Sequence, residues 1–367
     1  VTLISPFPDG ELESAVELGA VDGQSVRVWV RLPETPHAVA RLNVAGRSPV
    51  EATLALSATT DWTGAVRVAL AAPAYGLPFT CTVGPHTRQG RFAPDPGTHA
   101  SLTFGFGSCN RPFAVGPEGT IEVTPAAGIY SAMIPELQHA GTEFLILDGD
   151  QIYSDELPPI SVRDQLPGDE THPPPLPLVI DAYRRVSRGF LGQSDFQQLR
   201  ASIPTYCIWD DHDIFNTWGS RLEKSPRDQR LFEAAQRVYC EYQHARNPTG
   251  EIGPPPYQYS FRRGDIGFLV LDVRGARDYE QGQLLGAVQW EAIERYFAGP
   301  EAASLQTLFV VTSIPIAHVS RWMAKLFDGM PGKEGNQVRD RWCSAAFVRG
   351  RDALLDTLFA WQTALPH

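Results

Sequence analysis

The 367-residue chain carries 31 Lys and Arg against 42 Asp and Glu, a net charge of −11, and is 43% hydrophobic and 20% charged. Those values exclude collagen-like, coiled-coil and wholly disordered chains, and the length suffices to bury a proper core. The acid excess argues against a basic nucleic-acid-binding face or an anionic-membrane binder, while it allows cation binding.

No run approaches the roughly 20 apolar residues of a transmembrane helix, so no membrane segment is expected. Val1 is not followed by a charged and then an apolar leader, so no signal peptide is read, and a removed one would leave export open. Cys81, Cys109, Cys207, Cys240 and Cys343 are odd in number and form no C-x-x-C pair. They read as reduced, mostly buried thiols rather than a zinc finger.

The first hundred residues read as all-β. Ser25 to Leu32 alternates, with Val26, Val28, Val30 and Leu32 on one face and Arg27, Trp29 and Arg31 on the other. Short strands follow near 40–44, 51–57, 65–70 and 79–83, which predicts a small β-sandwich over residues 1–98. Pro94, Pro96 and Gly97 read as a linker. From residue 99 to 367 the pattern becomes a layered α/β domain. Apolar strands are expected at 102–106, 144–147, 205–209, 257–262, 267–272 and 307–312. Helices are expected at 127–140, 179–201, 227–245, 284–297 and 352–363. A proline-rich loop follows Asp150, and between Glu143 and Glu170 eight acids face only Arg163.

Three of these apolar strands end abruptly in metal-ligating side chains. They are Ser108-Cys109-Asn110, Asp148-Gly149-Asp150 with Tyr153 beyond, and Asp210-Asp211-His212-Asp213. Sites in α/β sheets form where the carboxyl ends of strands converge. Carboxylates drawn together there repel one another unless a cation neutralises them. Each piece alone has an ordinary reading: Asp-Gly suits a turn, Asp caps helices, and a lone Cys, His or Tyr packs in a core. Their occurrence at successive strand ends favours a metal site. There is no G-x-x-x-x-G-K-[ST] loop and no G-x-S-x-G elbow.

Phe106-Gly-Ser-Cys-Asn110, Leu147-Asp-Gly-Asp-Gln-Ile-Tyr153, Tyr183-Arg184 and Ile208-Trp-Asp-Asp-His-Asp213 together resemble the signature of PhoD-like alkaline phosphatases and phosphodiesterases, in the calcineurin-like metallophosphatase superfamily. Leu271-Asp-Val-Arg274 and Asp340-Arg-Trp342 fit as well, as does a sandwich preceding the catalytic domain. The resemblance implies hydrolysis of small or polymeric phosphate esters by a metal-activated hydroxide, with iron and calcium as cofactors. It implies that Asp150 bridges two metals and that Tyr153 and Cys109 ligate iron. Asp211 and Asn216 would bind the second metal, His212 would contact the phosphate or protonate the leaving group, and Arg184 would hold the phosphate. Aspartate oxygens suit calcium, and a thiolate suits a transition metal. The alternative is a non-catalytic protein that keeps the fold and binds a ligand or partner.

Family members continue past the last helix into a strand ending in G-D-x-H, whose His ligates the centre. No G-D-x-H occurs here, and the sequence stops at Ala364-Leu-Pro-His367. The catalytic domain therefore reads as truncated. The sequence is a fragment, or the protein is naturally short, or His367 or His318 substitutes.

Overall fold

A computed structural model describes residues 6–99, 101–220, 224–250, 253–318, 320–328, 330 and 332–365. It is a mixed α/β fold that starts with seven strands: β1 (Ala15–Val21), β2 (Ser25–Arg31), β3 (His37–Val44), β4 (Val50–Ala55), β5 (Thr63–Ala69), β6 (Pro78–Val83) and β7 (His86–Arg91). They form two antiparallel sheets, ordered β1-β2-β5 and β4-β3-β6-β7. The inward positions of both sheets, among them Val26, Val28, Val30, Leu42, Val68 and Cys81, share one apolar cluster.

The alternation seen in β2 has a second consequence. Trp29 and Arg31, on the opposite face, are also buried. That face packs on a helix far along the chain: Trp29 Nε1 donates to Glu241 O at 2.8 Å, and Arg31 Nε to the Tyr242 hydroxyl at 3.2 Å.

The α/β part opens with β8 (Gly105–Gly107), the hairpin β9 (Phe113–Val115) and β10 (Ile121–Val123), helix α1 (Ile129–His139) and β11 (Leu145–Asp148). The proline-rich loop holds only the short α2 (Val162–Gln165). The helix expected over 179–201 is two: α3 (Leu176–Leu191) and α4 (Ser194–Ser202). The break is local chemistry, since the Gln193 side chain accepts from Phe196 N at 2.9 Å and caps α4. β12 (Thr205–Ile208), α5 (Pro226–Tyr242), β13 (Tyr259–Arg263), β14 (Ile266–Val270), α6 (Gly286–Ala298), α7 (Pro300–Ala303) and β15 (Thr307–Val311) follow. The last helices are α8 (Arg321–Asp328), α9 (Gly332–Arg339) and α10 (Val348–Ala364).

These strands make two further sheets. β12-β11-β8 is all parallel, with Ile146 of β11 opposite Tyr206 and Phe106. In β13-β14-β15 the last pair is parallel. Aromatic rings interleave between the sheets, with Tyr206 stacked on Phe261 at 4.3 Å and Phe144 edge-on to Phe268 at 5.4 Å. All strands of the first sheet therefore end on one side, where the charged residues lie. Among the described residues no helix is long and apolar enough to cross a membrane.

The two parts are joined by buried ion pairs. Glu17 of β1, fully buried, meets Arg200 of α4 at 2.9 Å and also pairs with Arg246. Burial alone would raise the Glu17 carboxyl, but the charges of Arg200 and Arg246 outweigh it and hold it below its usual 4.5. Its contribution to stability is therefore present above pH 4.5 and is lost as the pH falls through the lower folded value. Glu17→Ala strands two buried guanidinium groups and should lower the free energy of unfolding by about 3–5 kcal/mol. Urea denaturation at pH 7 measures this, and an unchanged midpoint would show that the pair does not hold the two parts together.

Candidate metal centre

The centre is built by the turns that follow β8, β11 and β12. Cys109 (φ 59°), Gly149 (φ 85°) and Asp150 (φ 57°) all adopt left-handed backbone conformations, which L-residues avoid unless the surroundings fix them. The surroundings do so here. Cys109 N donates to Gly149 O at 3.1 Å and Asn110 N to Asp150 O at 2.8 Å, which ties the first two turns together. Asp213 Oδ2 accepts from Asp150 N at 2.8 Å and Asp210 N at 2.9 Å, which ties the second to the third. Gly149 is required for a second reason: a Cβ there would stand 2.5 Å from Asp210 Cβ.

This scaffold brings most of the expected ligands together. Asp150, Asp211 and His212 are buried and offer ligand atoms within 4.8 Å of one another. Asp150 Oδ2 lies 3.5 Å from Cys109 Sγ and 3.4 Å from the Tyr153 hydroxyl. Asp150 Oδ1 accepts from His212 N at 3.2 Å. Asn216 is near through its backbone, its N donating to Asp155 Oδ2 at 2.6 Å.

Arg184 is not brought to the cluster. Its guanidinium donates twice to Glu241, at 2.8 Å each, and once to Thr59 O of the sandwich at 2.6 Å. Its neighbour Tyr183 does face the site, donating its hydroxyl to Ile214 O at 2.5 Å. Adjacent helical residues point about 100° apart, so one reaches the site and the other the sandwich. His318 is exposed, and His367 lies outside the described residues.

Several pairings around the cluster were hidden in the sequence. Asp155 Oδ1 sits 2.7 Å from His212 Nδ1, and Glu156 Oε1 lies 3.6 Å from Nε2. The Tyr153 ring lies 4.4 Å from the imidazole, centroid to centroid. Arg274 Nε donates to Asp210 Oδ1 at 2.5 Å. The same guanidinium clasps Asp340 at 2.6 and 2.9 Å and stands 3.4 Å from Asp211. Thr217 N donates to Asp211 Oδ2 at 2.5 Å. Ser313, after β15, donates to Asp210 Oδ1 at 2.7 Å.

The electrostatics are those of a site short of positive charge. Burial, with Asp210 close by, raises Asp148 to about 7. Burial, with the charges of Asp210 and Asp211, raises Asp150 well above its usual range. Burial raises Asp213 to about 6 despite its hydrogen bonds. The Tyr153 phenol is pushed up by burial and by Asp150. Asp148 Oδ1 is buried with no hydrogen-bond partner among the described residues. A cation is what such a set of oxygen donors fits, and the thiol and phenol extend it to transition metals.

A model of the PhoD-like phosphatase family matches residues 108–342, a span that contains every one of these groups. The chain belongs to the PhoD-like phosphatase family. A solved structure of PhoD shares its fold, with a TM-score of 0.66 at 16% identity over 98% of this chain and 70% of that one. The purple acid phosphatase PPD1 isolated from yellow lupin (Lupinus luteus) seeds is similar at a TM-score of 0.54 and 10% identity, over 88% of this chain and 55% of that one. No curated protein sequence matches the chain. In the PhoD-like chain, the motif fragments Leu271–Arg274 and Asp340–Trp342 are supports. Asp340 holds Arg274, which in turn holds Asp210, and Trp342 is fully buried.

Burial alone would lower the His212 pKa, but the hydrogen bond and charge of Asp155, with Asp211 and Asp150, raise it from 6.5 to about 10. Its pairing therefore stabilises the metal-free fold fully below pH 6.5, and that contribution is lost as the pH rises through 10. Asp155→Asn should move the imidazole titration of chelator-treated protein down by at least about one unit, read by ring-nitrogen NMR. An unmoved titration would remove Asp155 from the site.

Proposed function

We propose that the chain hydrolyses phosphate esters, as a phosphomonoesterase, a phosphodiesterase or both, at a two-metal centre held by its strand ends. The convergence of Asp150, Asp211 and His212 within 4.8 Å carries this reading. Membership of the PhoD-like phosphatase family supports it. In this reading Cys109, Tyr153 and Asp150 would hold iron, and Asp150, Asp211 and Asn216 would hold calcium or another divalent ion. Bound there, the ions supply an acidified water and neutralise charge on the phosphoryl oxygens.

The protein's own groups do the rest. Asp155 fixes one imidazole nitrogen of His212, leaving Nε2 to give its proton to the departing oxygen. The hydrogen bond to Asp155 favours the protonated imidazole, the form that can donate. The Tyr153 ring stops the imidazole from tilting away. Arg274 draws Asp210 off to its own side, so that Asp211 rather than Asp210 faces Asp150 and His212. Arg184 is committed to Glu241 and Thr59, so the phosphate is left to other groups.

Metal analysis together with turnover of chromogenic phosphate mono- and diesters tests the proposal. The wild type should contain metal and turn over at least one class. Asp150→Asn should lower kcat/KM by more than about a hundredfold, since even partners of metal ligands cost 10–100-fold. A metal-free protein inert to every ester would instead be a ligand- or partner-binding relative that keeps the fold. Activity that survives Asp150→Asn would refute the bridging role.

A further inference from the structure

Between β8, the 108–112 turn and α1 lies a cleft of about 400 Å³, a size in the usual small-molecule range of about 300–1,000 Å³. It begins at Cys109 and Arg111, beside the metal cluster, and runs along Phe106, Pro112, Ile129 and Met133. Phe106 and Ile129 remain 55% and 57% exposed, an apolar rim next to the most acidic part of the chain.

Three polar side chains of the cleft wall are already paired. The Tyr130 hydroxyl donates to Asn110 Oδ1 at 2.6 Å, Asn110 Nδ2 to Gln151 O at 3.0 Å, and Gln151 Nε2 to Gly149 O at 2.6 Å. Such a wall has little to offer a polyol, and an alkyl or aryl group fits it. Arg111 is different. Its half-exposed guanidinium stands 5.7 Å over the Tyr153 ring and pairs with Glu156 at 2.7 Å. It is a cation on the border between the apolar cleft and the cluster, held by a carboxylate that a phosphoryl oxygen can replace.

We propose that this cleft seats the alcohol portion of the ester and selects phosphate esters of apolar alcohols, with Arg111 exchanging Glu156 for a phosphoryl oxygen. This rests on the phosphate-ester reading above. Moving Glu156 with its partner also clears the Nε2 side of His212, from which the leaving oxygen is protonated.

The test compares hexyl with glyceryl phosphate, each as the monoester and as the methyl diester, on the metal-loaded protein. Glycerol is the more acidic alcohol and the better leaving group, so intrinsic reactivity works against the hexyl esters and a hexyl preference reports the cleft. The hexyl esters should be favoured in kcat/KM by at least about tenfold. Ile129→Asp and, separately, Met133→Asp should bring the ratio towards one, and Arg111→Met should weaken inhibition by inorganic phosphate by about tenfold. Calorimetry with hexylphosphonate and methylphosphonate reads the cleft without turnover, and the hexyl compound should bind more tightly. Good hydrolysis with equal rates and equal phosphonate affinities overturns the cleft and leaves the phosphatase reading standing. Tighter hexylphosphonate binding without hydrolysis of any ester does the reverse.

Discussion

Five carboxylates, Asp148, Asp150, Asp210, Asp211 and Asp213, are buried where two neighbouring parallel strands end, and the α/β part is organised around offsetting their charge. Isolated buried anions are costly, so each must be paired, hydrogen-bonded or protonated. Arg274 answers for Asp210, and backbone N–H groups answer for Asp213 and part of Asp211. Asp148 and Asp150 keep raised pKa values, as do Asp210 at about 7 and Asp213 at about 6 even with their partners, and Asp148 Oδ1 has no hydrogen-bond partner among the described residues. The left-handed turns at Cys109 and Asp150 are the local cost of aiming so many ligands at one place.

The sandwich has a part in this. It is fastened to the helices behind the centre by Glu17 with Arg200 and Arg246, and by Arg184 and Arg237 on Thr59 O. Asp61 gathers Arg31, Arg188 and Tyr242. These contacts fix α3 and α5. Tyr183 of α3 holds the Ile214 carbonyl just after the Asp211–Asp213 turn, and Gln243, next after α5, holds Asp213 Oδ1 at 2.8 Å. The sandwich is thus a buttress for the third turn.

What the sequence revealed was the ends of apolar runs. Phe144–Leu147 and Thr205–Trp209 stop at aspartates, and such stops are visible without any contact map. The sandwich strands were legible through alternation, but β1 and β7 were not, because AVELGAV and HTRQGR carry weak or broken alternation. α8 and α9 were missed as well, being short. Pairings distant in sequence were illegible in principle. Asp155 and His212 are 57 residues apart, and Arg274 and Asp340 are 66 apart. The partners of Arg184, Glu241 and Thr59 O, were equally out of reach, since a motif says nothing about which way a helical side chain turns.

The most direct test of the central claim is calorimetric titration of chelator-treated protein with calcium or iron at pH 7, in two buffers of different ionisation enthalpy. If a cation completes the crowded carboxylates, binding must lower the raised pKa values around it, that of Asp148 at about 7 among them, and the two buffers should report net proton release. Binding without proton release, or no binding at all, would contradict a cation as the missing charge of the cluster.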